Sequence, residues 1–213
     1  LLYNLLHDPS EANDVAAKNP EVIEEIRILV EEHGAQLIVP PSQLDRTLLV
    51  WDYLNGEPLS ILDAGVPDPA GPSAAAAAFD LAAFRAAGGF DEALFAYWED
   101  VDLVLRLRRE GQTCRLAADA RGTHEHSASF GSGSARKNYL TGFGRGYVLR
   151  KWRVLTPGRF PGVIARDAVV CTGQAVVDRT LSGVRGRFQG WRAARPLAEY
   201  PETGWDKVFD LNV

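Results

Sequence analysis

Between residues 74 and 130, apolar segments of strand or helix length alternate with polar loops. The five alanines at 74–78 predict the start of a tightly packed strand, and DLAAFRAAG at 80–88 predicts a short helix. After an acidic loop, apolar residues at 101–110 predict a second helix, and QTCRLAA at 112–118 predicts a second strand. Acids and histidines lie where these elements end, which is where α/β proteins gather their active sites. The segment therefore predicts an α/β fold.

The remaining predicted elements are helices and loops. Apolar residues recur at helical spacing in NPEVIEEIRILVEEH at 19–33, and Asn19 is a suitable helix cap. Two further helices are predicted at 135–153 and 162–182, whereas the glycine- and proline-rich residues 55–73 predict a loop. No internal repeat is present.

The composition is that of a globular protein. The 213 residues are 46% hydrophobic and 24% charged, enough for one ordinary domain or two small ones. No stretch approaches the ~20 consecutive apolar residues of a membrane-spanning helix. The first residues lack the basic start and apolar centre of a signal peptide. Cys114 and Cys171 are too few for a disulfide framework, so we expect both to be reduced.

The charge of the chain changes sign along its length. Residues 1–45 carry nine acids and two bases, giving −7, whereas residues 121–195 carry fourteen bases and three acids, giving +11. The basic part would attract the phosphate groups of a nucleotide, a lipid or a nucleic acid. Because no nucleic-acid reader motif is present, we expect no nucleic-acid partner.

Three carboxylates follow directly behind two aromatic residues in LFAYWEDVD at 94–102. Adjacent carboxylates repel one another, and acidic side chains avoid burial. Glu99 and Asp100 are therefore either the solvated start of a helix or the lining of a reactive pocket. Asp102 lies one turn before Arg106, a spacing that favours an ion pair.

The run GGFDEALFAYWEDVDLVLRLRREGQTCRLAADARGTHEHSAS resembles the C-terminal half of the catalytic domain of family 2 glycosyltransferases, especially bacterial enzymes of the rhamnosyltransferase type. The family's GGFDE, aromatic stretch, ED-x-D, arginine-bearing helix, strand and histidine occur in order, and the resemblance covers about 48–195. It implies a partial GT-A-like α/β fold. Residues 46–134 would form the acceptor-side half and 135–213 a basic helical region. The N-terminal nucleotide-binding half, with its Asp-x-Asp, is not found.

The resemblance implies that Asp100 is the base that deprotonates an acceptor hydroxyl during inverting sugar transfer. Glu99 would orient the acceptor or cap the helix. Tyr97 and Trp98 offer flat apolar faces on which a sugar ring can stack. Together these four residues would hold the acceptor and take its proton.

A metal site is also implied by the resemblance. His124 would help to bind Mn²⁺ or Mg²⁺ on the donor diphosphate, although His126 could be the ligand instead. An exposed loop histidine without a metal is the alternative. Asp91 and Glu92 of GGFDE would have structural or acceptor-binding roles.

Basic residues after the histidines are implied to hold the donor diphosphate. These residues are Arg136, Lys137 and Arg145, and a solvated basic face is the alternative. The run YLTGFGRGYVLRKW at 139–152 mixes aromatic and basic residues. This pattern is typical of a helix on a membrane surface, or of a helix packed on the catalytic domain. A peripheral membrane contact would suit a lipid-linked acceptor.

The acidic N-terminal segment resembles a different family. Residues 2–33 and the following VPPSQLD resemble the C-terminal end of arylsulfatase-type sulfatases, with a strand, a DPSE-like turn and a last helix. The sulfatase nucleophile motif is absent around both cysteines, so no sulfatase activity is expected. We expect two family tails joined near 45–50, with 1–45 as the sulfatase-like segment. A variant lead-in to the transferase is the alternative.

The expected function is therefore that of an inverting glycosyltransferase fragment. It would transfer a sugar from a nucleoside-diphosphate sugar to a glycan or lipid-linked acceptor, in the cytoplasm or at the inner face of the plasma membrane. Because the nucleotide-binding half is not found, the alternative is a non-catalytic remnant or a module that binds glycan or membrane.

Overall fold

The structure is a computed structural model. It describes residues 20–21, 42–45, 48, 50–52, 68–74, 77–117 and 131–197. The chain divides into two compact units, Leu1–Val39 with Asp119–His124, and Pro40–Ala118 with Glu125–Val213. In the first unit only Pro20 and Glu21 are described, and both are helical. The rest of the predicted helix at 19–33 and the histidine loop lie outside the described residues.

The described part of the second unit is mainly helical. Its elements are β1 (Ser42–Leu44), β2 (Val50–Asp52), α1 (Leu81–Ala86), α2 (Glu99–Arg109), α3 (Ala135–Lys151), α4 (Phe160–Val176) and α5 (Ser182–Ala193). The helices predicted at 80–88, 101–110 and 135–153 are confirmed. Asp80 caps α1 as predicted, because its Oδ1 accepts the Ala83 N–H at 2.8 Å. The helix predicted at 162–182 ends earlier, and a separate helix, α5, follows it.

The predicted α/β sheet is not supported by the described residues. β1 and β2 form a two-stranded antiparallel ribbon in which Gln43 is opposite Trp51. The described parts of the strands predicted at 74–78 and 112–118 are not strands, so those predictions are wrong there. An extended segment becomes a strand only when a neighbour accepts its backbone hydrogen bonds, and within the described residues β1 and β2 pair with each other alone.

One apolar cluster joins the ribbon, α2, α3 and α4. Its members are Leu44, Leu48, Ala70, Leu94, Val101, Val104, Leu105, Tyr147, Val148, Leu149, Trp152, Val154, Val163 and Ala194. α3 therefore lies within the core rather than on the surface. Of the two interpretations of residues 139–152, the structure supports the helix packed on the rest of the domain.

Glycines let α3 and α5 approach closely. A Cβ at Gly146 would lie 2.0 Å from the Arg187 carbonyl oxygen, and one at Gly190 would lie 1.9 Å from the Phe143 carbonyl oxygen. These neighbours are backbone atoms that cannot rotate away, so only glycine fits at this crossing. Among the described residues, no helix is long and apolar enough to cross a membrane.

Candidate active site

A strained bend precedes α2. Tyr97 and Trp98 both have left-handed backbone angles, with φ of 65° and 77°. Such conformations cost on the order of 1–3 kcal/mol each in non-glycine residues and persist only where the surroundings impose them. Backbone strain of this kind gathers at functional sites, so the bend marks this end of α2 as a candidate site.

α3 supports the bend from one side. A Cβ at Gly144 would lie 2.5 Å from the Tyr97 carbonyl oxygen and 2.6 Å from Trp98 Cδ1, so the helix backbone touches the bend directly. The next residue, Arg145, places its guanidinium carbon 5.3 Å from the centre of the Trp98 ring, within cation–π distance. Sequence reasoning missed this support, because only the packing of α3 brings Gly144 near Trp98.

Glu99 and Asp100 are both partly withdrawn from solvent, unlike the acids of a solvated helix start. Asp100 Oδ2 accepts the Ala74 N–H at 3.2 Å, and its Oδ1 accepts the N–H of the following residue at 2.8 Å. Burial raises the pKa of Asp100, and these two N–H donors oppose the rise. Adjacent to it, Glu99 Oε2 has no hydrogen-bond partner among the described residues. Burial and the neighbouring charge of Asp100 raise the pKa of Glu99 to about 7.

Asp102 belongs to a buried network rather than to this pair. Its side chain is 0% exposed, and the predicted pair with Arg106 is confirmed, with 2.9 Å between Nε and Oδ2. Lys151 Nζ and Trp152 Nε1 also donate to its carboxylate, each at 2.8 Å. Three donors, one on α2, one at the end of α3 and one directly after it, therefore satisfy this charge, and its role is to hold α2 against the end of α3.

Asp91 of GGFDE joins the same network. Its Oδ2 accepts Lys151 Nζ at 2.7 Å and the Tyr147 hydroxyl at 3.0 Å. Burial raises the pKa of Asp91, but the hydrogen bond from Lys151 and others outweigh it, so the net shift is downward. Burial and the bond to Asp91 raise the pKa of Tyr147 to about 12. The other acid of the motif, Glu92, is exposed.

The three basic residues predicted for the diphosphate are not brought together. Arg136 is exposed and Lys137 is half-buried in the first turn of α3, whereas Arg145 lies about 12 Å further along the helix. Arg145 is only 5% exposed. It donates to the Leu48 carbonyl oxygen, and its Nε lies 3.2 Å from Asp167 Oδ1. Burial lowers its pKa, although Asp167 opposes this shift.

The predicted metal ligands His124 and His126 lie outside the described residues. Within the described residues, no three His, Cys, Asp or Glu side chains form a metal-binding group. A cavity of about 260 Å³ lies elsewhere, between α1, α2 and residues 112–117, with Phe79 and Cys114 in its lining. Burial raises the pKa of the Cys114 thiol, so this group favours the unreactive protonated form. The cavity contains none of the predicted site residues.

Comparisons with protein-family models, curated proteins and solved structures find no match to this chain. The structure brings together Tyr97, Trp98, Glu99 and Asp100, because they are consecutive and enter one helix. Sequence reasoning missed the hydrogen bonds that Lys151 and Tyr147 donate to Asp91.

Proposed function

We propose that this chain is the acceptor-side part of an inverting glycosyltransferase of GT-A type. It acts on a nucleoside-diphosphate sugar and a glycan or lipid-linked acceptor, in the cytoplasm or at the inner face of the plasma membrane. The observation that carries the proposal is the partly buried pair Glu99 and Asp100, directly behind the strained Tyr97–Trp98 bend. Two carboxylates beside two half-buried aromatic side chains suit a sugar hydroxyl that must lose its proton.

Asp100 is the proposed base. Its carboxylate accepts the proton of the acceptor hydroxyl while that oxygen bonds to the anomeric carbon and the carbon–oxygen bond to the diphosphate breaks. The N–H groups that bind Asp100 stabilise its charged form. Glu99, with a pKa of about 7, is partly protonated at neutral pH and can donate a hydrogen bond to the acceptor. Two adjacent acids with different surroundings can thus take different roles.

The resemblance to family 2 glycosyltransferases also implies a divalent cation. When bound, Mn²⁺ or Mg²⁺ would neutralise charge on the leaving diphosphate. We propose His124 as a ligand; within the described residues no three His, Cys, Asp or Glu side chains form a metal-binding group.

A transfer assay on the purified chain tests the proposal. It would use a panel of nucleoside-diphosphate sugars with Mn²⁺ and glycan acceptors. Asp100→Asn should lower turnover by ~100-fold or more, since general-base catalysis contributes about that much or more. Glu110→Gln, on the exposed other end of α2, is the matched control and should keep full turnover. Turnover that is measurable and equal in Asp100→Asn and the unsubstituted chain would exclude this base.

A glycan-binding module without catalysis is the second candidate. It is favoured by the internal contacts of Arg145, which leave the proposed diphosphate residues apart from one another. In that case no donor turnover is measured, and glycan binding by calorimetry falls in Trp98→Ala but is unchanged in Asp100→Asn. The two variants thus separate an enzyme from a binding module.

A further inference from the structure

α4 leaves most of its apolar residues in solvent. Val163 is its one fully buried residue, whereas Val169 is 73% exposed and Val176 is 71% exposed. The turn after the helix continues the pattern with Val177 and Leu181. Of the twelve large apolar side chains exposed in the described residues, nine lie between 160 and 188. Apolar surface concentrated in this way marks an interaction site.

The outward face of α5 carries both apolar and basic residues. Val184 and Phe188 are exposed and alternate with the exposed Arg185 and Arg192. They lie opposite the glycines that pack on α3. Arg192 also lies over Phe188, with 5.6 Å from its guanidinium carbon to the ring centre. Arginine and aromatic side chains therefore share one face of the helix.

All exposed charges between residues 153 and 195 are positive. Six arginines are exposed there, of which Arg166 already pairs with Asp45 at 2.6 Å; the other five are Arg153, Arg179, Arg185, Arg192 and Arg195. The two acids in this range are not exposed. Asp167 pairs with Arg145 at 3.2 Å, and Asp178 accepts the Asn138 amide at 2.8 Å. A partner of this surface must therefore be both apolar and negatively charged.

We propose that the α4–α5 surface, formed by Val169, Val176, Val184, Phe188, Arg179, Arg185 and Arg192, binds the surface of a membrane rich in anionic lipids. Apolar side chains would enter the boundary between headgroups and acyl chains, while the arginines reach the lipid phosphates. The inference rests on exposure and charge and does not depend on the proposed transferase activity. The proposed membrane contact thus lies on α4 and α5 and not at residues 139–152, which are largely buried.

A second copy of the chain fits this surface less well. A two-fold interface places the same patch on both sides, so Arg185 and Arg192 would face their own copies. Like charges brought together in an interface are costly. Lipid phosphates instead match the positive charge, and acyl chains match the valines.

Vesicle flotation with the purified chain tests this proposal. It compares equimolar phosphatidylglycerol–phosphatidylcholine vesicles with pure phosphatidylcholine vesicles. We expect salt-sensitive binding to the anionic vesicles. Arg185→Gln with Arg192→Gln should weaken the binding on the order of twentyfold, and Val184→Ser with Phe188→Ser on the order of tenfold. Leu81→Ser and Arg85→Gln, exposed on α1, are the matched controls and should bind like the unsubstituted chain.

Three outcomes would overturn the proposal. The first is a chain that stays monomeric and does not float with anionic vesicles. The second is a concentration-dependent dimer, measured by sedimentation, that Val176→Ser abolishes, since a second copy would then cover the surface. The third is binding that the α1 controls lose as strongly as the α5 variants. Because every substituted side chain is exposed, circular dichroism should find each variant folded.

Discussion

Glu99 links the ionisation of one side chain to the stability of the fold. Its pKa is about 7 in the folded protein against an ordinary value of 4.5, because of burial and the charge of Asp100. The folded state therefore binds this proton more tightly than the unfolded state. The resulting stabilisation is fully present below about pH 4.5 and is lost as the pH rises through about 7.

Replacing Glu99 with glutamine should remove this pH dependence, since the amide resembles the protonated acid at every pH. We expect Glu99→Gln to match the unsubstituted chain near pH 4.5 and to be more stable by roughly 2 kcal/mol at pH 8. Urea unfolding at the two pH values measures the difference. Glu92→Gln, at an exposed acid, should leave the pH dependence unchanged. A Glu99→Gln chain with the same pH dependence as the unsubstituted chain would contradict the assigned burial.

Asp102 illustrates how far local sequence patterns reach. Its pair with Arg106 could be predicted because the two residues are one helical turn apart. Its bonds to Lys151 and Trp152 could not, since these residues are 49 and 50 positions away. Only the packing of α3 against α2 brings them together. The grouping of residues 97–100 in one candidate site could likewise be predicted from the sequence. The left-handed backbone conformation of Tyr97 and Trp98 could not.

Helices were easier to predict than strands, for a physical reason. A helix satisfies its hydrogen bonds within its own segment, so capping and apolar spacing predicted α1, α2 and α3 well. A strand depends on a distant partner, and the strand predicted at 112–118 has none in the described part. The aromatic and basic pattern of residues 139–152 was apparent from the sequence, but the contact of the α3 glycines with α5 was not.

The crossing of α3 and α5 yields a matched pair of glycine substitutions. Gly190→Ala should cost about 1–3 kcal/mol or more, because its Cβ would lie 1.9 Å from the Phe143 carbonyl oxygen and the helices must separate. Gly173→Ala, in the open face of α4, should instead stabilise the chain by about 0.5–1 kcal/mol, because alanine has the higher helix propensity and its Cβ would meet nothing within 4 Å apart from the local helix backbone. Thermal unfolding should move the two midpoints in opposite directions. Equal shifts would mean that the helices do not touch at Gly190.

Arg145 connects parts of the molecule that are far apart in sequence. It donates to the Leu48 carbonyl oxygen beside the ribbon, pairs with Asp167 on α4 and lies over Trp98 before α2. Removing the partners of a buried charge strongly destabilises a protein. Removing the buried charge and leaving its partners in place has the same effect. Its contacts therefore relate the candidate site to the stability of the whole domain.

We expect Arg145→Met to destabilise the chain by about 3 kcal/mol or more. Arg145→Lys should not rescue it, because an ammonium group cannot reproduce the planar fork that meets two acceptors and an aromatic face. In urea unfolding followed by circular dichroism, both variants should have midpoints lower by about 1 M or more. Arg136→Met, at an exposed position on the same helix, is the control and should unfold with the unsubstituted chain.

The same comparison tests the role of Arg145 in binding a donor diphosphate. If this residue serves the donor alone, Arg145→Lys and Arg136→Met should both unfold like the unsubstituted chain, and only donor affinity should fall. A stability loss confined to the Arg145 variants would instead mean that its guanidinium is committed to the domain interior. The diphosphate would then have to be bound by other basic groups.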